Sequence, residues 1–283
     1  MRRVGFEPTR PFGQCLLRAS SLPFLHRRSH SYFDRSRRGN GTEAPASLES
    51  MCGRYTLTNA DPAVIRARFG IEESAKLTED EPHYNIAPTD PVLAIRRSES
   101  GAREPGRLRW GLVPGRWAER RSGPPLINAR AESLQQQPAF AESFRERRCL
   151  IPADGFYEWR KDEGGKTPIW LSRPDGDLFA FAGIWAALPS RDKSSEPLHS
   201  CAIVTCEPNG LIRPIHDRMP VVLQPDGEGR WLDPEQSEEE LSALLMPAPE
   251  DALVTLEVGD FVNDVRDDGP HLIERRAEQP QLF

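Results

Sequence analysis

The fold is decided by the stretch Cys149–Trp159, which reads CLIPADGFYEW. It holds two apolar runs, Cys149–Pro152 and Gly155–Trp159, with only two residues between them. Both runs have the length and the apolar, aromatic character of buried β-strands. Two residues cannot hold the crossover helix that parallel neighbours need, so the stretch favours a sheet built from antiparallel strands.

Outward from this stretch, six more runs have the composition and the flanking turn residues of strands. They are Val92–Ile95, Ile169–Leu171, Leu178–Trp185, His199–Thr205, Met219–Leu223 and Leu253–Val258. Most neighbours are again separated by turns rather than by a helix of crossover length. Because 27 prolines and 21 glycines also interrupt the chain, strands and loops are favoured over a helical bundle.

Three short helices are predicted from local start and stop signals. Asp61–Pro62 forms an N-cap and a first turn, and Gly70 stops this helix. Pro138–Arg147 predicts a second helix, and Ser237 with Glu240 forms the capping box of a third. We therefore expect an α+β chain with a single β-rich domain, a mostly antiparallel folded or barrel-like sheet, and a few short helices.

Composition narrows the class of protein. A chain of 283 residues with a formal net charge of −6 suits one globular domain and excludes a fibre. Apolar runs all fall short of the roughly 18 residues that a membrane-spanning helix needs. The five cysteines are an odd number and follow no secretory signal, so we expect a reducing, cytoplasmic compartment without a disulfide framework.

The nearest approach to a zinc pattern is the set His199, Cys201 and Cys206. These residues fall in a predicted buried strand, where cysteine serves as a small apolar side chain. The sequence therefore predicts no metal site.

Residues 1–50 differ from the rest of the chain. They carry nine arginines, no lysine and four acidic residues, are rich in serine, and lack hydrophobic periodicity. A transit peptide has this composition. We prefer a second hypothesis, in which the segment is not normally translated, because Gly5–Thr9 back-translates readily to a stretch common in transfer RNA genes. We expect residues 1–50 to be a disordered extension that is absent or removed, 51–275 to be the catalytic domain, and 276–283 to be a tail.

Cys52 follows Met51, and a start methionine is commonly removed before so small a residue. Removal leaves a free α-amine and a thiol on one residue. That amine has a pKa of about 7.7 to 8.0, against about 10.4 for lysine, so it is nucleophilic at physiological pH. It condenses with an aldehyde to an imine, and the thiol then closes a thiazolidine ring. The alternative is that Cys52 is one more small buried residue.

Six segments in a distinctive order give the chain a family resemblance. They are Met51–Tyr55, Asn85–Thr89, Arg109–Leu112, Ile127–Glu132, Gly155–Trp159 and Ile215–Pro220. From Met51 to about Ile273, the chain resembles the SOS response-associated peptidase (SRAP) family, also known as abasic-site-shielding proteins. The resemblance implies covalent capture of abasic sites in single-stranded DNA through an N-terminal cysteine, with an associated autoproteolytic peptidase activity.

The resemblance also implies a reaction centre of four residues. Cys52 would be the nucleophile through its amine and its sulfur, and Asn128 would hold the amine and the product. Glu158 would be the general acid and base. His216 would assist the opening of the deoxyribose and the imine steps, since histidine titrates near neutral pH.

Eight further residues would contact DNA by the same resemblance. Arg54, Arg130 and Arg218 would meet phosphates, and the cleft would hold Asn85, Pro88, Trp110, Trp159 and Thr205.

Each role in the reaction centre has a structural alternative. Asn128 could cap a turn, Glu158 could be an exposed strand carboxylate, and His216 could be a core histidine paired with Asp217.

Residues 103–130 concentrate positive charge, with seven arginines against two acidic residues. Trp110 and Trp117 lie within this Arg-Trp segment. Interleaved arginine and aromatic side chains suit single-stranded nucleic acid, where stacking contributes about 1 to 3 kcal/mol per base. The alternative is a solvated charged loop whose tryptophans belong to the core.

We therefore expect a monomeric, nucleoid-associated cytoplasmic enzyme that acts on abasic single-stranded DNA and needs no cofactor. Two other functions stay open. One is an N-terminal-nucleophile cysteine peptidase or amidase without a DNA role. The other is a non-catalytic module that binds single-stranded DNA.

Overall fold

A computed structural model of the protein describes residues 53–115, 125–190 and 196–277. Strands dominate these residues. The strands are β1 (Arg54–Leu57), β2 (His83–Ile86), β3 (Pro91–Arg97), β4 (Arg103–Trp110), β5 (Asn128–Arg130), β6 (Arg148–Ala153), β7 (Gly155–Asp162), β8 (Gly165–Ser172), β9 (Phe179–Leu188), β10 (Leu198–Cys206), β11 (Met219–Pro220), β12 (Val222–Leu223) and β13 (Val254–Glu257). The helices are α1 (Pro62–Phe69), α2 (Ala141–Glu146), α3 (Pro225–Leu232) and α4 (Glu238–Ala243).

Five strands close into a barrel in the order β10-β4-β3-β6-β9, with β9 pairing back onto β10. Four of the five pairings are antiparallel, and β4 runs parallel to β10. The short strand β5 is also parallel to β10, beyond the end of β4. The predicted barrel-like, mostly antiparallel sheet is therefore confirmed, with a parallel seam at β10.

A second sheet, in the order β13-β8-β7-β1-β2, is antiparallel throughout. The stretch Cys149–Trp159 predicts the two strands β6 and β7, and these lie in different sheets. The chain passes from the barrel to the second sheet at Asp154, whose backbone N–H donates to the carbonyl of Thr56 at 3.0 Å. This corner joins the barrel to strand β1, the strand that directly follows Cys52 and Gly53.

Alternation along β7 divides its side chains between two apolar clusters. Phe156 packs into the main cluster inside the barrel, with its ring centroid 5.9 Å from that of Phe181. Tyr157 packs into a smaller cluster with Val258 and Val262. Because successive residues of a strand face opposite sides, Glu158 shares the barrel side with Phe156.

The capping signals of two helices are confirmed. The carboxylate of Asp61 accepts from the N–H of Ala63 at 2.7 Å, and Gly70 ends α1 with a φ of 59°. Ser237 and Glu240 form the complete capping box of α4. The second predicted helix, α2, begins only at Ala141, three residues later than predicted. Among the described helices, none is long and apolar enough to cross a membrane.

Candidate functional site

Glu158 lies in the middle of β7, where it is paired in register with Ile169 of β8. Its side chain is buried, with 2% of the residue exposed. The alternative that Glu158 is an exposed strand carboxylate is therefore wrong. A carboxyl group on the barrel side of β7 is shielded from bulk water, which suits proton transfer to a bound substrate.

A cleft of about 710 Å³ opens beside β7. It is lined by Trp159 and Lys161 of β7 and by the segment from Arg213 to Arg218. The indole Nε1 of Trp159 donates to Oδ1 of Asn263 at 2.9 Å, which fixes the ring at the cleft wall. The cleft therefore brings Trp159, His216 and Arg218 of the predicted site together.

His216 lines this cleft with a side chain that is 16% exposed. Its Nδ1 accepts from the backbone N–H of Arg218 at 3.1 Å and lies 3.1 Å from a carboxylate oxygen of Asp217. The same Nδ1 also lies 3.3 Å from the carbonyl oxygen of Arg218. The expected pairing with Asp217 is present, but at the cleft wall rather than in the core.

Asn128 and Arg130 belong to β5, which places them beside β10. Asn128 is in register with Ile203, and Arg130 with Thr205. Ala129 between them is fully buried, so the two polar side chains lie on the opposite face of the strand. Asn128 is half-buried and Arg130 is exposed. Asn128 is the first residue of β5, and the short helical turn that follows at Ala131–Ser133 has Arg130, not Asn128, at its N-cap.

Arg218 joins the loop of His216 to the β5–β10 pair. Its Nη2 donates to the carbonyl of Thr205 at 2.8 Å. Its two terminal nitrogens also bind the carboxylate of Glu132, at 2.8 and 2.9 Å. These hydrogen bonds are the main reason that the pKa of Glu132 is lowered. Glu132 belongs to the motif Ile127–Glu132, but no role was predicted for it. The only sequence feature that could have indicated its role is its position two residues after Arg130.

Arg54 and Asn85 form hydrogen bonds with the backbone of the C-terminal residues 262–267. Nη1 of Arg54 donates to Oδ1 of Asn85 at 3.2 Å and to the carbonyl of Val262 at 2.7 Å. The amide Nδ2 of Asn85 donates to the carbonyls of Asp264 at 3.0 Å and Asp267 at 2.8 Å. Burial lowers the pKa of Arg54, and nearby acidic groups oppose this effect. Both side chains thus have intramolecular partners where the sequence predicts DNA contacts.

Pro88 occupies the second position of a tight turn that runs from Ala87 to Asp90. The N–H of Asp90 donates to the carbonyl of Ala87 at 3.1 Å, and Thr89 has a φ of 82°. Proline followed by a residue with positive φ is the pattern of a type II turn, although glycine or asparagine is usual where Thr89 stands. Pro88 itself is half-buried.

The assignment of Trp110 to the DNA surface is wrong, because its side chain has no exposed area. Its Nε1 donates to the carbonyl of Ile127 at 2.9 Å, and its ring lies edge-on to that of Tyr55 at 5.4 Å. Thr205 is also fully buried, so its side chain offers nothing to a nucleic acid.

The Arg-Trp segment is not a continuous charged surface. Residues 103–110 form barrel strand β4, and its arginines have partners within the fold. Arg103 donates to the carbonyl of Phe69 at 2.6 Å, Arg107 is paired with Asp80, and burial lowers the pKa of Arg109. Four members of the segment lie outside the described residues: Arg116, Trp117, Arg120 and Arg121.

The cysteines of β10 do not form a metal site. Cys201 and Cys206 are five residues apart on one strand, so their side chains point to opposite faces. Burial raises the pKa of Cys206 to about 12, which keeps it a neutral thiol. Within residues 53–115, 125–190 and 196–277, no group of three metal-ligating side chains converges.

Cys52 lies outside the described residues, which begin at Gly53. The sequence places it two residues before Arg54, and Arg54 is in register with Tyr157 of β7. Asp154, at the corner between β6 and β7, is a further polar residue that received no role from the sequence. Asp154 is 5% exposed, and its carboxylate binds Thr56, Thr58 and Asn59.

Comparison with known proteins gives consistent matches over the described part of the chain. The family model of the SOS response associated peptidase (SRAP) matches residues 51–265. The abasic site processing protein YoqW of Bacillus subtilis (strain 168) is 38% identical over 226 residues, which cover 79% of this chain and 99% of that protein. The abasic site processing protein YedK of Escherichia coli (strain K12) is 32% identical over 229 residues, which cover 79% and 99%.

A crystal structure of a Bacteroides thetaiotaomicron protein has the same fold, with a TM-score of 0.69. It is 24% identical and covers 80% of this chain and 100% of that one. The family match spans the barrel, the second sheet and the cleft residues His216 and Arg218. The chain therefore belongs to the SOS response associated peptidase (SRAP) family.

Proposed function

We propose that the protein captures abasic sites in single-stranded DNA through a thiazolidine formed by Cys52. The observation that carries the proposal is the register of β1 on β7. Arg54 pairs with Tyr157, which precedes Glu158 and Trp159. Two residues of chain span at most about 7 Å, so Cys52 is tethered close to the strand of Glu158. Trp159 in turn lines the cleft that holds His216.

The reaction balances without an oxidant or a cofactor. A ring-opened abasic sugar carries an aldehyde at C1′, and the α-amine of Cys52 adds to it to give a carbinolamine. Loss of one water gives an imine, and the sulfur then adds to the imine carbon while the thiol proton moves to nitrogen. One carbon–nitrogen and one carbon–sulfur bond form, and a single water leaves.

The described residues match the needs of these steps. Glu158, shielded on the barrel side of β7, shuttles the proton that lets the carbinolamine lose water. His216 lines the cleft and assists the opening of the sugar ring. Asn128 on β5 holds the amine and the product. Trp159 stacks on a base beside the lesion, and exposed Arg130 contacts a phosphate.

The proposal includes the organisation of the chain. Residues 51–275 form the working domain, residues 1–50 are absent from the active form, and residues 276–283 are a tail. The protein acts as a monomer on nucleoid DNA, and its peptidase activity removes the segment that precedes Cys52. Mass spectrometry of the protein isolated from its native cells tests this boundary, because the proposal requires Cys52 at the N-terminus.

The test of the chemistry uses single-stranded DNA that carries one abasic site. The protein beginning at Cys52 is incubated with this DNA and run on a denaturing gel. We expect an adduct whose mass is protein plus DNA less one water. Cys52→Ser keeps the amine but replaces sulfur, so it should give only an imine that requires borohydride for trapping. Cys201→Ala is the control for a cysteine that takes no part.

Three results would overturn the proposal. One is a stable adduct whose measured mass still includes residues 1–51, because the Cys52 nitrogen of such an uncleaved chain is an amide. Another is an undiminished adduct from Cys52→Ala without borohydride. The third is cleavage of peptides by Cys52 with no DNA adduct, which would identify an N-terminal-nucleophile amidase.

A further inference from the structure

We infer that Glu132 is a positioning residue that holds the loop of His216 against strand β5 through Arg218. The effect of Glu132 on the reaction rate rests on the proposed function, whereas its effect on the position of His216 does not. Glu132 lies just after β5, the strand of Asn128, and it contacts Arg218, which lines the cleft together with His216.

The contacts between Glu132 and Arg218 are those of a fixed pair. Oε1 and Oε2 of Glu132 accept from Nη1 and Nη2 of Arg218 at 2.8 and 2.9 Å. Two parallel hydrogen bonds between a carboxylate and a guanidinium restrict both side chains to one geometry. The side chain of Arg218 is only 12% exposed, and it therefore lacks the freedom of a surface arginine.

The backbone of Arg218 connects this pair to His216. Its N–H donates to Nδ1 of His216 at 3.1 Å, and its Nη2 also donates to the carbonyl of Thr205. Thr205 is in register with Arg130 of β5. Glu132 thus joins two parts of the reaction centre that are far apart in sequence, β5 and the loop of His216.

The same pair changes the expected role of Arg218. Both terminal nitrogens of its guanidinium already bind the carboxylate of Glu132, which offsets the positive charge. Arg218 therefore contributes more to the geometry of the cleft than to attraction of DNA phosphates. Replacing Glu132 by glutamine removes a negative charge beside the cleft, so DNA affinity should hold or increase while the reaction slows.

The first experiment needs no DNA and uses the full chain. NMR spectra of ring-labelled histidines are recorded for wild type, Glu132→Gln and the control Glu142→Gln. Glu142 also pairs with an arginine, Arg147, at 2.7 Å, but on the exposed surface. We expect Glu132→Gln to shift or broaden the resonances of His216 and to leave those of His199 in place. An unchanged His216 signal would overturn the inference, whatever the protein does to DNA.

The second experiment separates rate from binding in the protein that begins at Cys52. At saturating abasic DNA, we expect the crosslinking rate of Glu132→Gln to fall on the order of 10-fold to 100-fold, because small displacements of reacting groups have such effects. Its Kd for undamaged single-stranded DNA should be unchanged or lower. Glu142→Gln should match wild type in both.

A double-mutant cycle tests whether Glu132 acts through Arg218. In an Arg218→Gln background, Glu132→Gln should have no further effect on the rate. Additive effects of the two substitutions, or a weaker Kd with an unchanged rate for Glu132→Gln, would overturn the inference. If wild type forms no adduct at all, the proposed function fails, and the histidine spectra alone decide the role of Glu132.

Discussion

The carboxylate of Asp154 binds Thr58 twice, accepting from its backbone N–H at 2.6 Å and from its hydroxyl at 2.7 Å. It also accepts from the hydroxyl of Thr56 at 2.5 Å and from the N–H of Asn59 at 3.0 Å. One buried acidic group at the corner between β6 and β7 therefore satisfies four donors at the end of β1.

We expect Asp154→Ala to lower the free energy of unfolding by about 3 kcal/mol or more, because it leaves several buried donors without their acceptor. Denaturant unfolding measures this change. Asp162→Ala, at the exposed end of β7, removes a surface pair with Arg160 and should have a much smaller effect. Equal effects of the two substitutions would contradict the role given to Asp154.

The two tryptophans assigned to DNA by the sequence should behave differently. We expect Trp159→Ala to weaken binding of undamaged single-stranded DNA by about 1 to 3 kcal/mol, the contribution of one stacked base. Trp110→Phe should lower the free energy of unfolding, because it removes the hydrogen bond to Ile127, and should leave DNA affinity unchanged. Fluorescence anisotropy and denaturant unfolding check the pair. A loss of DNA affinity in Trp110→Phe alone would reverse the assignment.

Asn85 should control the order of the C-terminal segment Val262–Asp268. Asn85→Asp places a carboxylate against backbone carbonyls that now receive hydrogen bonds, so we expect the opening free energy of this segment to fall by about 2 kcal/mol or more. Hydrogen exchange measures this locally, with β10 as the internal reference. Asn263→Asp, on the exposed surface of the same segment, is the control. Unchanged exchange in Asn85→Asp would show that other contacts, such as those of Arg54 and Tyr84, hold the segment.

The thiol of Cys149 should make stability sensitive to alkaline pH. Burial raises its pKa from 9.0 to about 12, so the folded state keeps a proton that the unfolded state releases. The contribution is fully present below the unfolded value and is lost as the pH rises toward the folded value. Between about pH 9 and about pH 10, wild type should lose about 1 kcal/mol more free energy of unfolding than Cys149→Ala. Parallel pH profiles of the two proteins would contradict this.

The sequence predicted the strands whose side chains are apolar on both faces, such as β6 and β9. It missed β1, β2, β4 and β5, because arginine and other polar residues interrupt their patterns. Strand β4 was interpreted as part of a charged segment, although Arg103 and Arg107 find their partners in α1 and the following loop region. Helix α3 was missed because Gly227 and Gly229 lower its intrinsic propensity, while burial of Trp231 compensates.

The candidate site was predicted from motifs in a characteristic order. A motif indicates which residues belong to the site but not which side chains they contact in the fold. They identified Asn128, Glu158 and His216, which the structure distributes over β5, β7 and the cleft loop. They could not show that Trp110 is buried or that Glu132 occupies both terminal nitrogens of Arg218. Such contacts join residues that are distant in sequence, Tyr55 with Trp110 and Glu132 with Arg218.

Barrel closure also sets the order of events during synthesis. The pairing of β4 with β10, in which Arg109 lies opposite Ser200, can form only after β10 has been synthesised. The pairing of β1 with β7, in which Arg54 lies opposite Tyr157, likewise requires β7. Pairings of such long range incur loop entropy before they form, which places folding in the slow range of milliseconds to seconds. On the ribosome, β1 can pair with β2 well before β7, its other neighbour, has emerged. The strand of Glu158 therefore joins the segment that follows Cys52 only late in synthesis.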